Sequence, residues 1–306
     1  MNKEPVVIGI DGGGTKTAGR LADFQGNTLA ELFGGPANIQ VAGAEVCANT
    51  FREMVIHLCK KAGYAVADVS SIVIGLAGAG RPSDRNVVLK DLEKKLNFPR
   101  AKLTIVSDAD IALEAAYGVD PGIIVIAGTG SIVYGRSSDG KIKRMGGWGP
   151  IVGDPGSGTD IGIKALQKIS RVFDGRIKEN ELFRMIAGSF GITSPGFLIK
   201  RIYSDELKPS ELTRPVFEAA LNDDESALDI LDKSAAGLVN MIKDYLSDLP
   251  PMQPYPITLK GGMIESDTIY RRILIQKIKK LPYPISVGFV GKQTIDGAIS
   301  LALRTA

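Results

Sequence analysis

Val6-Val7-Ile8-Gly9-Ile10-Asp11-Gly12-Gly13-Gly14-Thr15-Lys16-Thr17 is an apolar run that ends in an aspartate, three glycines and a threonine. A second strand-like run follows at once, Ala18-Gly19-Arg20-Leu21-Ala22-Asp23. The pattern predicts a β-hairpin whose turn is stripped of side chains. Glycine permits a tight turn and lets backbone N–H groups approach a bound oxyanion. Asp11, ending the first strand, can hold a hydrated divalent cation beside such oxyanions. A triphosphate with its metal needs a turn of this kind. An ordinary Gly-rich hairpin has the same appearance, so the stretch alone leaves both readings open.

Two familiar phosphate motifs fail on this segment. A P-loop requires G-x-x-x-x-G-K-[ST] running into a helix. Gly9 to Gly14 has the spacing, but Thr15 precedes Lys16 and a strand follows. The dinucleotide fingerprint G-x-G-x-x-G also opens a helix, and Gly12-x-Gly14 lacks its third glycine.

Further along, the layout of the opening segment returns. Gly122-Ile123-Ile124-Val125-Ile126-Ala127 reads as an apolar strand, Gly128-Thr129-Gly130-Ser131 as a turn, and Ile132 to Arg136 as a returning strand. Ser138-Asp139-Gly140 is then a turn before a third strand from Lys141 to Met145, as Asp23-Phe24-Gln25-Gly26-Asn27 precedes a strand from Thr28 to Phe33. The repeat of strand, glycine–threonine turn and two further strands predicts an internal duplication. Between the copies, Val41 to Ala62 has helical periodicity, with Val46, Phe51, Met54, Val55 and Leu58 on one face. Buried strands are expected at Ser71–Ala77 and at 102–106, with helices at 86–96 and 111–117. Alternating strands and helices define an α/β chain with polar residues gathered at the strand ends.

The second half holds a glycine-dense loop, Gly146 to Gly158, containing the single tryptophan, Trp148. Such a loop is a flexible connector or the wall of a ligand site. Helices are predicted at 161–173, 179–188, 211–221 and 225–246. The proline-rich segment 250–254 breaks the chain before a strand at 257–260 ending in Gly261-Gly262. A helix at 268–281, a strand at 284–288 and a closing helix at 294–304 complete the chain.

Composition excludes several classes. The chain is 306 residues long, which favours two domains. Hydrophobic residues make up 44% and charged residues 23%, as in a globular protein. The net charge of +3 is mild and the basic residues are scattered, so neither a nucleic-acid nor a membrane surface is expected. Cys47 and Cys59, the two cysteines, lie in one apparent helix without metal-like spacing, which points to a reduced, cytoplasmic protein. The lone histidine, His57, reads as an ordinary helix residue.

Two halves each opening with a strand–turn–strand clip suggest a nucleotide held between two domains. Phosphoryl transfer then needs a group that orients the nucleophile and accepts its proton. Asp108 is the candidate, at the end of a buried strand where ligands collect in α/β sheets. Such a base contributes roughly 10²–10⁴ in rate. Aspartate and serine also favour helix N-caps, so Ser107, Asp108 and Asp110 are all candidates for capping the helix that follows. Spacing does not choose between base and cap.

Taken in order, Asp11-Gly-Gly-Gly-Thr-Lys-Thr17, Gly75-Leu-Ala-Gly78, Ser107-Asp108-Ala109, Ala127-Gly-Thr-Gly-Ser131, Gly146-Gly-Trp-Gly149, Gly153-Asp154, Gly261-Gly262 and Gly297-Ala298 form a set. With it the chain resembles, over essentially its whole length, the N-acetylglucosamine kinase/BadF-BadG-BcrA-BcrD ATPase family of the actin, Hsp70 and sugar kinase superfamily. The resemblance implies a two-domain actin-like (ribonuclease H-like) ATPase fold. Its duplicated βββαβαβα core would carry an inserted helical part in the second domain. The closing helix would return to the first domain, giving domains 1–117 with 293–306 and 118–292. It further implies that Asp11 holds Mg²⁺ while Gly12, Gly13, Gly14, Thr15 and Lys16 hold the phosphates of ATP. Gly128, Thr129 and Gly130 would grip phosphate from the other domain, and Gly261, Gly262 and Ser266 would flank the adenosine. Asn38, Ser131 and Asp154 match sugar-binding positions, and Asp108 the base for the 6-hydroxyl. A homodimer through the second domain is common among such relatives.

One departure stands out. The family usually reads Gly-Asp-Glu-Gly-Ser where this chain has Gly153-Asp154-Pro155-Gly156-Ser157. Proline removes the carboxylate and fixes φ, which bears on the identity of the sugar. Ile132, where some members carry a polar residue, points the same way. Trp148 is expected to anchor the glycine loop by its ring. The leading reading is a kinase of an amino sugar, N-acetylglucosamine first, with glucosamine, N-acetylmuramic acid and hexoses open. An ATPase activating a partner reductase or dehydratase is the alternative. Its relatives carry cluster-bridging cysteines, and Cys47 and Cys59, in what reads as a surface helix, do not match them. A DNA-binding, sugar-responsive regulator would need a helix-turn-helix ahead of the first strand, which starts near Pro5.

Overall fold

The computed structural model describes residues 4–97, 102–149, 152–250, 254–289 and 291–306. Pro150 and Ile151 of the glycine loop and 251–253 of the proline-rich break lie outside them. Chain contacts divide the protein into two units, one running to Asp120 and resuming after Phe289, the other spanning Pro121–Phe289.

The first unit opens with β1 (Val6–Gly12), β2 (Thr17–Ala22) and β3 (Thr28–Gly34). Two helices follow, α1 (Ile39–Ala42) and α2 (Ala44–Ala62). Then come β4 (Val69–Leu76), α3 (Pro82–Leu96), β5 (Leu103–Ser107) and α4 (Asp108–Tyr117). The sheet order is β3-β2-β1-β4-β5, antiparallel across the hairpins and parallel from β1 to β5. β1 is central and covered on both faces, which is why Val6, Val7, Ile8 and Ile10 form a near-continuous apolar run.

The second unit repeats this plan. β6 (Gly122–Ala127), β7 (Ser131–Arg136) and β8 (Ile142–Gly146) form the meander. α5 (Gly158–Phe173), α6 (Glu181–Phe190), α7 (Pro195–Tyr203), α8 (Thr213–Leu221) and α9 (Glu225–Ser247) follow. β9 (Tyr255–Lys260), α10 (Ile269–Ile278) and β10 (Ile285–Phe289) close it. The order β8-β7-β6-β9-β10 has the same pattern of antiparallel and parallel pairs as the first sheet. The duplication is therefore real, and the two-domain actin-like fold carries α6, α7 and α8 as its helical insertion.

α11 (Thr294–Thr305) belongs to the first unit. It lies so close to β1 that a Cβ on Gly9 would stand 2.8 Å from the Ile299 nitrogen, and a Cβ on Gly297 would collide with the Ile111 carbonyl of α4. Small residues at these crossings let one helix brace both β1 and α4. Beneath it, Glu114 of α4 is buried, paired with Arg304 and accepting from the Ser300 hydroxyl at 2.7 Å.

Several expectations need correction. The helix expected over 41–62 is broken at Gly43, whose φ of 80° interrupts it between α1 and α2. Val46 does not share the buried face: it is exposed. Cys47 and Cys59 are not in a surface helix in the sense expected, since both thiols are buried and unpaired in the α2 core face. α7 was not expected, although Ser194 capping and Pro195 at the first helical position mark its start.

Candidate active site

Strand register brings the first unit's candidate residues to one edge. Gly12 pairs with Leu76, and Leu76 with Ser107, so the ends of β1, β4 and β5 lie level. Asp11, the Gly13–Lys16 turn and Asp108 all sit at these ends. The turn is tight because the Gly13 N–H donates to the Lys16 carbonyl at 3.1 Å. Gly12 has no room for a side chain: a Cβ would stand 2.9 Å from the Phe51 ring. Thr15 and Lys16 are exposed at the tip, with the Lys16 ammonium 5.8 Å from the Phe33 ring centre.

Asn38 reaches the same edge. It bridges to Ala77 beyond β4, and its Oδ1 caps α1 by accepting from the Gln40 N–H at 3.0 Å. Its amide lies between two glycines. A Cβ on Gly78 would stand 2.5 Å from Oδ1, and one on Gly14 3.8 Å from Nδ2. Glycine at 78 is therefore what admits this side chain.

The cap question at Asp108 has a geometric answer. Ser107 is the N-cap of α4: its Oγ accepts from the Asp110 N–H at 3.1 Å, and Asp110 Oδ2 accepts from the Ser107 N–H at 2.9 Å. Asp108 is the first helical residue, and its Oδ1 accepts from its neighbour, the Ala109 N–H, at 2.9 Å. Capping is thus discharged by Ser107 and Asp110. Burial pushes the Asp108 carboxyl up to about 6, opposed by the Ala109 N–H and assisted by the negative charge of Asp11. A carboxyl near that value is ionised at neutral pH and more basic than an ordinary aspartate, which suits a proton acceptor.

In the second unit the turn after β6 is shorter by one residue, and the Gly128 N–H donates to the Gly130 carbonyl at 2.9 Å. Thr129 is exposed at its tip. The glycine loop closes directly on this turn. Asp154 is buried, and a Cβ on Gly130 would stand 2.7 Å from its Oδ2. Its carboxylate accepts from the Gly149 N–H at 3.3 Å, and the N–H groups of Trp148, Ser131 and Gly147 also favour its charge. Burial outweighs them and raises its pKa. The described part of the loop is therefore held in place by these contacts. Ser131 is buried, and its hydroxyl donates to the Pro155 carbonyl at 2.8 Å, so its visible role is to hold that loop.

Pro155 packs against α9, where a Cβ on Gly237 would stand 3.1 Å from the proline Cβ. Trp148 does not anchor the loop as expected: it is 68% exposed, and its backbone rather than its ring serves Asp154.

Gly261 and Gly262 follow β9. The φ of Gly261 is +103°, and a Cβ there would collide with the Ala127 carbonyl. This glycine is required for the segment to lie beside the end of β6. Ser266 is exposed in the turn that follows, and its carbonyl accepts from the Thr268 N–H at 2.9 Å. Two residues absent from the sequence reading belong to this region, Thr159 and Tyr270. Thr159 donates through Oγ1 to the Thr129 carbonyl at 2.9 Å, and Tyr270 through its hydroxyl to the Gly156 carbonyl at 2.8 Å. A threonine at a helix start carries a faint signal; a buried tyrosine carries none.

Among the described residues, no three His, Cys, Asp or Glu side chains converge as a metal cage. That fits Mg²⁺, which keeps waters and takes one or two carboxylates with substrate phosphates. Asp11, beside the turn that opens with Gly13 and Gly14, would hold such an ion. No single helix among the described residues is long and apolar enough to cross a membrane.

The chain is similar to known proteins over most of its length. An N-acetylmuramic acid/N-acetylglucosamine kinase of Clostridium acetobutylicum is 34% identical over 300 residues, covering 97% of each chain. An N-acetyl-D-glucosamine kinase of Dictyostelium discoideum is 30% identical over 292 residues, covering 91% of each. The crystal structure of a proposed N-acetylglucosamine kinase from Chromobacterium violaceum superposes with a TM-score of 0.77 at 25% identity, covering 98% of this chain and 99% of that one. Residues 8–293 match the BadF/BadG/BcrA/BcrD ATPase family. The chain belongs to that family.

Proposed function

We propose that this protein is an ATP-dependent sugar kinase that transfers the γ-phosphoryl group to the 6-hydroxyl of an amino sugar, N-acetylglucosamine first. The observation that carries the reading is Asp108, freed from capping by Ser107 and Asp110 and raised to about 6. The acceptor hydroxyl gives its proton to Asp108 as the oxygen–phosphorus bond forms, and ADP leaves. Asn38 and Asp154 hold sugar hydroxyls. Backbone N–H groups of the Gly12–Thr15 and Gly128–Gly130 turns other than those of Gly13 and Gly128, which brace the turns, bind the phosphates with Lys16 and Thr129. Gly261, Gly262 and Ser266 border the adenosine. Mg²⁺, held by Asp11 with the nucleotide, supplies charge neutralisation at the phosphates.

The residues before Asp120 with the closing helix thus form the domain of the base, and 121–289 the domain of Asp154 and the adenosine turn. Buried unpaired thiols at Cys47 and Cys59 suit a reducing, cytoplasmic setting. A homodimer without nucleic-acid or membrane partners completes the reading.

The test is ADP release with Mg·ATP across N-acetylglucosamine, N-acetylmuramic acid, glucosamine, N-acetylmannosamine, glucose and no sugar. Strong stimulation by an amino sugar supports the reading. Turnover that no sugar stimulates rejects it.

A further inference from the structure

In the second unit the acceptor loop and the nucleotide-side turns are joined by an unbroken set of hydrogen bonds. The Gly147 N–H donates to the Ser131 carbonyl at 2.8 Å, the Gly158 N–H to the Gly128 carbonyl at 2.8 Å, and the Thr159 N–H to the Thr129 carbonyl at 3.2 Å. These fix the loop around Asp154 to the phosphate turn. A second route passes through the adenosine side. The Met263 N–H donates to the Ala127 carbonyl at 3.4 Å, and Thr268 Oγ1 donates to the Met263 carbonyl at 2.6 Å. Thr268 caps α10, and two residues on, Tyr270 reaches back to the Gly156 carbonyl at 2.8 Å.

The two routes meet at Gly156, two residues from Asp154. Its N–H donates to Asp160 Oδ2 at 2.9 Å while its carbonyl takes the Tyr270 hydroxyl, so its peptide groups are held on both sides. Its φ is +76° and a Cβ would stand 2.7 Å from that hydroxyl, so the site is shaped for glycine against tyrosine. Tyr270 is fully buried and stacked on Phe217 with ring centres 6.0 Å apart. Burial raises its pKa, so it stays a donor throughout the working pH range.

We propose that Tyr270 is a positioning residue that couples the nucleotide-side turn 261–268 to the acceptor loop carrying Asp154. A nucleotide that orders the turn orders Thr268 and α10, and the Tyr270 hydroxyl passes that order to the Gly156 backbone. The coupling is reciprocal: acceptor binding tightens nucleotide binding by the same factor. The proposal rests on the sugar-kinase reading.

The test is calorimetric titration of the full chain with a non-hydrolysable ATP analogue and Mg²⁺, with and without the sugar that the wild type phosphorylates. The ratio of the two affinities is compared in wild type, Tyr270→Phe and Phe217→Leu. The wild type is expected to bind the analogue at least about fivefold more tightly with sugar present. Tyr270→Phe, which keeps the ring and leaves the direct bonds to the phosphate turn in place, lowers that ratio at least about threefold and raises the sugar KM about tenfold. Phe217→Leu loosens the same core, lowers Tm and keeps the ratio. Should Tyr270→Phe not fold, Thr268→Ala cuts the same route at its other end and is expected to lower the ratio by a similar factor. A wild-type ratio in Tyr270→Phe, or equal loss in Phe217→Leu, overturns the proposal, as does a sugar-phosphorylating wild type with no coupling. A wild type that phosphorylates no sugar removes the underlying reading instead.

Discussion

Asp154 lies directly against Gly130: a Cβ on that glycine would stand 2.7 Å from the carboxylate Oδ2. The proposed acceptor-side carboxylate therefore packs directly on the proposed phosphate turn, where glycine leaves room for it. Gly130→Ala is expected to push Asp154 aside and lower kcat/KM by about 10²-fold, the scale of a displacement near 1 Å. The fold should survive, since the change is confined to the turn. Steady-state kinetics beside circular dichroism check this; an active Gly130→Ala enzyme would mean that Asp154 does not position the acceptor.

Trp148 supplies a direct readout of that loop. It is the single tryptophan, 68% exposed, and its backbone N–H favours the Asp154 charge. Binding of the accepted sugar is expected to change its fluorescence in wild type, and Asp154→Asn to weaken the titration by about tenfold, the loss of a hydrogen bond to a charged group. A titration unchanged by Asp154→Asn would separate this loop from the sugar.

Asp108 carries a stability cost. Its pKa rises from 3.8 to about 6 on folding, so the native state binds the proton more tightly than the unfolded chain. Stability then falls as pH rises from about 4 to about 6 and stays lowered above that. Asp108→Asn removes the charge and is expected to stabilise the protein at pH 7.5 by up to about 3 kcal/mol, with no gain below about pH 4. Urea titrations at the two pH values measure it. A destabilised variant at pH 7.5 would contradict the burial cause.

Arg304 and Glu114 tie α11 to α4 at the opposite end from Asp108. The Glu114 side chain is 1% exposed and that of Arg304 39%, so the two halves of the pair differ in what their loss exposes. Arg304→Ala strands a buried carboxylate and is expected to cost about 3 kcal/mol. Glu114→Gln keeps an acceptor for Ser300 and leaves a solvated arginine, and should cost less. Chemical denaturation of both variants orders them.

Much of this architecture is written locally. The two clips were legible because glycines and a threonine between apolar runs admit few structures, and their repetition supplied the duplication. Asp108 was legible as a strand-end carboxylate, but not as distinct from a cap: that depends on which oxygen faces which N–H, and Ser107, Asp108 and Asp110 fit the sequence rule equally well. The break at Gly43 was hidden because Ala44 to Ala62 continues the same periodicity. Burial of Cys47 and Cys59 follows from their spacing with Phe51, Met54 and Leu58, so that signal was present. Tyr270 and Gly156 are 114 residues apart. Nothing local marks such a pair, because the fold alone brings α10 against the glycine loop.

The most direct test of the account is single-turnover phosphorylation of the accepted sugar by Asp108→Asn, with ATP binding measured on the same preparation. Transfer is expected to fall by roughly 10²–10⁴ while the ATP affinity stays within a few fold of wild type, because the proposed base is removed and the proposed phosphate turns are untouched. Transfer at a rate near wild type would contradict it and return Asp108 to a structural role at the head of α4.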